Sequence, residues 1–237
     1  MGKNLIQQRR GKGSSTFRAP SFRYQGKTKH IKLSEEIQKG KILDLITCQG
    51  HSAPLAKIKY ENGEDLLMIA PEGVRVGDMI ESGPKCKIRS GNSAPLKSIP
   101  SGTFIYNIEA SPGDGGKFVK SSGTSAKVVG TTKKGITIML PSNKQKQFNS
   151  ECRATIGIIA GAGRLDKPFL KAGKKFFAKK AKNKIYPIVC GISMNAVAHP
   201  FGSKNSHIKG RPTQASRNSP PGRKVGNIAP RRSGYKR

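Results

Sequence analysis

Residues 41–70 read KILDLITCQGHSAPLAKIKYENGEDLLMIA, and the way turn formers divide this stretch sets the fold class. KILDLITC (41–48), PLAKIKY (54–60) and DLLMIA (65–70) are β-rich runs, and Glu61-Asn62-Gly63 between the last two is a hairpin signal. GVRVGDMIE (73–81) continues the pattern. Beyond Gly83-Pro84 a second series follows: TFIYNIE (103–109), KFVK (117–120), AKVVG (126–130), GITIML (135–140) and ATIGIIAG (154–161), again with Gly, Pro and Ser between them. Short strands at this spacing predict small barrels. Two series predict two of them, at 35–83 and 84–165, with Val128, Val129, Ile156, Ile158 and Ile159 as core. Helix is scarce. Ser34-Glu35-Glu36-Ile37 could cap a short turn, and Asp166-Lys167-Pro168 before FLKAG predicts a brief helix with Asp at its cap and Gly173 at its end.

Outward from the barrels the composition changes. The 237 residues carry 45 Lys+Arg against 13 Asp+Glu, a formal charge of +32. A field of that size repels itself and attracts polyanions, so nucleic acid or an anionic membrane is the expected partner. Membrane is the weaker choice, because no apolar run approaches the roughly 18 residues of a spanning helix, and no apolar segment follows the basic start MGKNLIQQRRGKG. Cys48, Cys86, Cys152 and Cys190 form no CxxC pair, which predicts free thiols in a reducing cytosol. All 13 acids lie between Glu35 and Asp166, leaving that segment only +5. Residues 1–34 and 167–237 hold 9 and 18 basic residues and no acid. The C-terminal end also contains Phe169, Phe176, Phe177, Tyr186, Phe201 and Ile228, which a purely solvating tail would lack. Both ends are therefore expected to take their order from an anionic partner.

Enzyme motifs fail one by one. Gly113-Asp114-Gly115-Gly116-Lys117 lacks the glycine spacing of a phosphate loop, and Phe118 stands where a hydroxyl is needed. Gly161-Ala162-Gly163 has no third glycine at the dinucleotide offset. No carboxylate follows Asp166 to orient His199 for acid/base work. Cys190, His199 and His207 have no recognised metal spacing, and a cationic surround opposes another cation. No catalytic residue, metal, cofactor or small-molecule substrate is expected.

Four long motifs occur in order: GDGGKFVKSSGTSAKVVG (113–130), RATIGIIAGAGRLDKPFLKAG (153–173), MNAVAHPFG (194–202) and SRNSPPGRKVGNIAPRRSG (216–234). Together they resemble the universal large-subunit ribosomal protein family called L-two, and the likeness spans most of the chain. The opening and the PPGRKVGNIAPRR ending are similar to the archaeal and eukaryotic branch, and the short tail to archaeal members. The resemblance implies a mainly β protein with an oligonucleotide-binding-like barrel (35–83), then an SH3-like barrel (84–165). It also implies a basic N-terminal extension (1–34) and an RNA-threading C-terminal extension (166–237). It implies a cytoplasmic, ribosome-bound RNA binder near the peptidyl transferase centre that supports subunit association, transfer RNA positioning and peptide-bond formation, alongside other ribosomal proteins and across from the small subunit. The chain departs from the family at Ala198, where an acidic residue usually precedes the histidine, at Ser203-Lys204 in place of a glycine run, and at Cys190 in place of Arg. A catalytic part for His199 is thereby weakened, and docking is not.

The residues expected to meet RNA follow. In the N-terminal end they are Arg9, Arg10, Lys12 and Arg18, and around the last strand and short helix Arg153, Arg164, Lys167 and Lys171. The loop contributes Met194, Asn195, His199, Pro200, Phe201 and Gly202, which offer stacking, amide hydrogen bonds and shape suited to irregular RNA. Arg211, Arg217, Asn218, Pro221, Gly222, Arg223, Lys224, Arg231 and Arg232 complete the set, in a stiff acid-free segment that builds no core of its own but can follow an RNA groove, its guanidinium forks matching phosphates. An architectural nucleic-acid-binding protein outside the ribosome is the alternative, and it predicts indifferent binding to DNA duplex.

Overall fold

The computed structural model describes residues 2–34, 36–132, 135–203 and 212–231. The fold is mainly β with few helices, the class expected. Two compact units divide the chain: Ser21–Pro168, and a unit made of both ends, Met1–Pro20 with Phe169–Arg237.

The end unit begins with helix α1 (Ile6–Gly11), one and a half turns that the sequence reading passed over. Unit Ser21–Pro168 contains strands β1 (Gln38–Ile46), β2 (Leu55–Tyr60), β3 (Asp65–Ile69), β4 (Met79–Ser82) and β5 (Ser93–Pro95). There follow β6 (Phe104–Tyr106), β7 (Ala126–Thr132), β8 (Gly135–Met139), β9 (Gln145–Phe148) and β10 (Arg153–Ile156). They form one ten-stranded sheet in the order β3-β2-β1-β4-β5-β10-β6-β7-β8-β9. Every pairing is antiparallel except β4 with β5, joined through Ser82 and Ser93. Register slips between Ile42 and Asp44 and between Val128 and Gly130 are bulges, which sharpen twist and help a sheet curl.

Each half of the sheet closes on its own apolar cluster. Ile42, Ile58, Tyr60, Met68 and Ile80 fill the first, and Ile105, Ile108, Val128, Ile136, Ile138 and Phe148 the second. A third cluster of Leu55, Ile69, Tyr106 and Ile159 links them, and the Tyr106 hydroxyl donates to the Ile69 carbonyl at 2.9 Å. Thr28, His30 and Ile31 are buried too, so the last part of the basic N-terminal segment packs with the barrels. Among the residues expected as core, Val128, Ile156 and Ile159 are buried, Ile158 is half-buried and Val129 is exposed, because consecutive strand positions face opposite ways.

Several expected elements are corrected. The run from Gly73 yields a strand only at Met79, because Gly73 and Gly77 adopt φ of 79° and 95° and Asp78 accepts the Arg75 amide in a turn. KFVK contributes one isolated bridge, Phe118 to Ile108. The helix expected after Asp166 is instead α2 (Ala172–Lys180), which starts where that helix was to end and has Gly173 in its first turn. Residue 35, in the expected capped turn, lies outside the described residues; Ser34 Oγ accepts the Glu36 amide without a helix. Two short strands, β11 (Gln214–Ala215) and β12 (Asn227–Ile228), pair in parallel within the end unit.

Candidate nucleic-acid interface

The loop from Gly191 to Ser203 is built by its own backbone. A short 3-10 turn at Gly191–Ser193 leads to Asn195, whose carbonyl accepts the amides of Ala198 (2.9 Å) and His199 (3.1 Å). Met194 then accepts the Ser203 amide at 3.0 Å, and Ser203 Oγ accepts the Ala196 amide at 2.9 Å. Ser203 thus holds the loop shut with its hydroxyl. Gly202 admits no side chain, since a Cβ there would lie 2.2 Å from the Met194 carbonyl.

Within this frame His199 Nδ1 accepts the Phe201 amide at 3.1 Å, so the neutral ring carries its proton on Nε2. The ring packs over Gly191, where a Cβ would meet it at 2.3 Å. Burial pushes its pKa down, which favours the neutral form. No Asp or Glu side chain belongs to the end unit to orient it as a base. His199 with Pro200, Pro221 and Gly222 borders a cavity of about 410 Å³ shared with Lys3 and Asn4. The site can therefore present a hydrogen-bond donor, and among the described residues no carboxylate stands beside it to take part in proton transfer.

Phe201 departs from its expected role as a stacking surface. It is 4% exposed and packs with Leu5 and Val225, with Ile192 against them. Burying a phenyl ring is worth about 1.5–3 kcal/mol, which explains why it turns inward. The 212–231 segment builds no core of its own: Val225 packs into this cluster with Leu5 and Phe201, Ala215 is buried, and β11 pairs with β12. Gly226 is required there, because a Cβ would lie 2.1 Å from the Thr213 carbonyl.

Arg153 is the second departure. Its side chain is drawn into the barrel unit, where Nε and Nη2 donate to Glu109 Oε1 at 3.2 and 2.8 Å and Nη1 donates to the Ile31 carbonyl. Glu109 is fully buried; burial raises its pKa, but the hydrogen bonds and charge of Arg153 outweigh that and hold it below the usual carboxylate range. The same carboxylate accepts the amides of Gly113 and Gly115, while Asp114 accepts those of Ala110, Ser111 and Gly116. The glycine-rich loop therefore directs these amides to the chain's own acids, which is the physical reason it is not a phosphate cradle.

The remaining cations are where a polyanion can reach them. Arg9, Arg10, Lys12 and Arg18 are exposed in the end unit, as are Lys171, Arg217, Arg223 and Arg231. Arg164 and Lys167 are exposed in the barrel unit, with Arg164 Nε donating to Ser122 Oγ at 3.1 Å. Asn195, Asn218 and Pro221 are exposed, Met194 and Gly222 are half-buried, and half-buried Lys224 donates to the Arg217 carbonyl. Arg211 and Arg232 lie outside the described residues. Motif reading missed the cations of α2, whose signal was the four-residue spacing of Lys175 and Lys179. Among the described residues no three His, Cys, Asp or Glu side chains gather as a metal site, no helix is long and apolar enough to cross a membrane, and the four cysteines are free.

The family described as Ribosomal Proteins L2, C-terminal domain, matches residues 89–222. The chain is similar over its whole length to three archaeal proteins named Large ribosomal subunit protein uL2. It is 51% identical to that of Methanothermobacter thermautotrophicus and 48% identical to those of Archaeoglobus fulgidus and Methanocaldococcus jannaschii, with all of each relative covered. Two barrel cores in one sheet, an acid-free end unit and end-to-end identity near one half converge on one assignment: the chain belongs to the ribosomal L2 family, in its archaeal form.

Proposed function

We propose that the chain is a structural component of the large ribosomal subunit that binds ribosomal RNA through its two acid-free ends, near the peptidyl transferase centre. On this reading it supports subunit association and transfer RNA positioning without performing chemistry. Neighbouring ribosomal proteins and the small subunit are its other partners, and barrels at 35–83 and 84–165 hold the two extensions apart from one another in sequence. The observation that carries the proposal is the end unit itself: it packs an apolar cluster and two paired strands, yet contains no carboxylate to neutralise its cations. Ordered positive charge with no internal counter-charge calls for an external polyanion. The neutral His199, with its proton on Nε2, fits docking to an RNA acceptor better than proton abstraction.

Salt titration of binding to large-subunit ribosomal RNA tests this. If about ten terminal cations neutralise phosphates, log affinity falls against log salt with a slope of roughly −7 to −9. A slope shallower than about −3, or equal affinity for DNA duplex, would refute it. Sedimentation of the tagged chain with ribosomal subunits supplies the cellular counterpart.

A further inference from the structure

A cavity of about 850 Å³ lies within the end unit, between the segment after α1 and the C-terminal part of α2. Its lining includes Arg10, Phe17, Lys175, Lys179, Lys184 and Tyr186. The volume falls in the range of ligand pockets, roughly 300–1,000 Å³. Two aromatic rings line it, each with a cation over one face: the Arg9 guanidinium 5.9 Å from the Phe17 centroid and Lys175 Nζ 5.3 Å from the Tyr186 centroid. Lys175 and Lys179, four residues apart on α2, stand on one helix face.

Hydrogen bonds within the end unit join the walls. The Asn183 side-chain amide donates to the carbonyls of Ser15 and Arg18 at 2.7 and 2.8 Å, tying the N-terminal segment to the end of the helix. Asn183 itself adopts φ of 53°, and the Lys184 amide returns to the Lys179 carbonyl at 2.9 Å, closing the helix as a left-handed cap does. Four cations line this hollow in a unit without a single acid, so their counter-charge comes from outside. Groove phosphates alone need no aromatic rings, and an apolar ligand needs no lysines. Aromatic faces ringed by cations match a base together with its own phosphates.

The geometry points to a pocket for one unstacked nucleotide of RNA, its base against Phe17 or Tyr186 and its phosphates among Arg10, Lys175, Lys179 and Lys184. This rests on the RNA-binding reading above and adds to it a single-nucleotide subsite.

Ultraviolet cross-linking of intact large subunits containing the chain, followed by peptide mass spectrometry, is the direct test, because photo-cross-links form only at base contact. Nucleotide adducts are expected on peptides carrying Phe17 or Tyr186. Adducts elsewhere on the chain but none on these peptides overturn the pocket, as do cross-links from Lys179 or Lys184 to an acidic protein segment in their place. In parallel, full-length Tyr186→Ala is expected to weaken binding to large-subunit ribosomal RNA about 5- to 150-fold with an unchanged salt slope, while Tyr186→Phe retains affinity. If the unaltered chain binds and Tyr186→Ala binds equally well, the pocket alone fails. If the unaltered chain prefers DNA duplex, the RNA reading fails with it.

Discussion

Acidification should weaken the barrel unit through one side chain, His30. The ring is buried and its Nε2–H donates to the Asn107 carbonyl at 2.7 Å. Desolvation, and after it the charge of Arg153, push its pKa down to about 4, against the opposing pull of the Asn107 carbonyl and Glu109; Lys120 adds a smaller push in the same direction as Arg153. In the unfolded chain the same ring titrates near its ordinary value of about 6.5. Between those values the unfolded state binds the extra proton, so stability is full above about pH 6.5 and is lost as pH falls toward 4. Integrating the difference from pH 7 to pH 5 gives a loss of about 2 kcal/mol for this site. For a protein of this size that corresponds to about 4–8 °C in Tm. Paired denaturation curves at pH 7, 6 and 5 for the natural chain and His30→Gln isolate the effect, because every other titrating group cancels in the difference. Equal loss of stability in both proteins between pH 7 and pH 5 would refute the reasoning.

Arg153→Met should destabilise the barrel unit by about 3–5 kcal/mol, since it strands the buried Glu109 carboxylate; urea unfolding near neutral pH measures this, and a change below 1 kcal/mol would mean that the pair carries no such load. Glu109 gives that stability a second acid limit, because a carboxyl held below its ordinary value loses its contribution as pH falls from that value through its folded pKa. Gly191→Ala should push the His199 ring off its seat and break its bond with the Phe201 amide, seen as at least tenfold faster hydrogen exchange at Phe201. His199→Gln should assemble normally and change single-turnover peptidyl transfer in reconstituted subunits by less than about tenfold; full incorporation with near-complete loss of that step would restore a catalytic role.

Elements with local signatures were legible in the sequence. The hairpin between β2 and β3 is announced by Asn62-Gly63, with Gly63 at φ of 82°, and the apolar runs of β1, β2 and β8 coincide with observed strands. β9 was missed because QKQF is almost wholly polar; its place comes from pairing with β8 and from Phe148 packing edge-on against Phe118. The exposure of the terminal cations follows from charge segregation, since residues 1–34 and 167–237 contain no Asp or Glu to pair with them. Arg153 was misjudged because its partner Glu109 is 44 residues away, a distance that no local periodicity spans. Phe201 was misjudged for the same reason, as its neighbours Leu5 and Val225 come from opposite ends of the chain.

That last cluster has a consequence for the chain's own synthesis. The barrel unit lies between the two stretches that make up the end unit, so one is translated before it and the other after it. Leu5 emerges before the barrels, but Phe201 and Val225 reach it only after them. Domains of a nascent chain fold as units in the order in which they emerge. The barrels can thus close first, with their own carboxylates already engaged, while Leu5 waits for its apolar partners until Val225 has emerged.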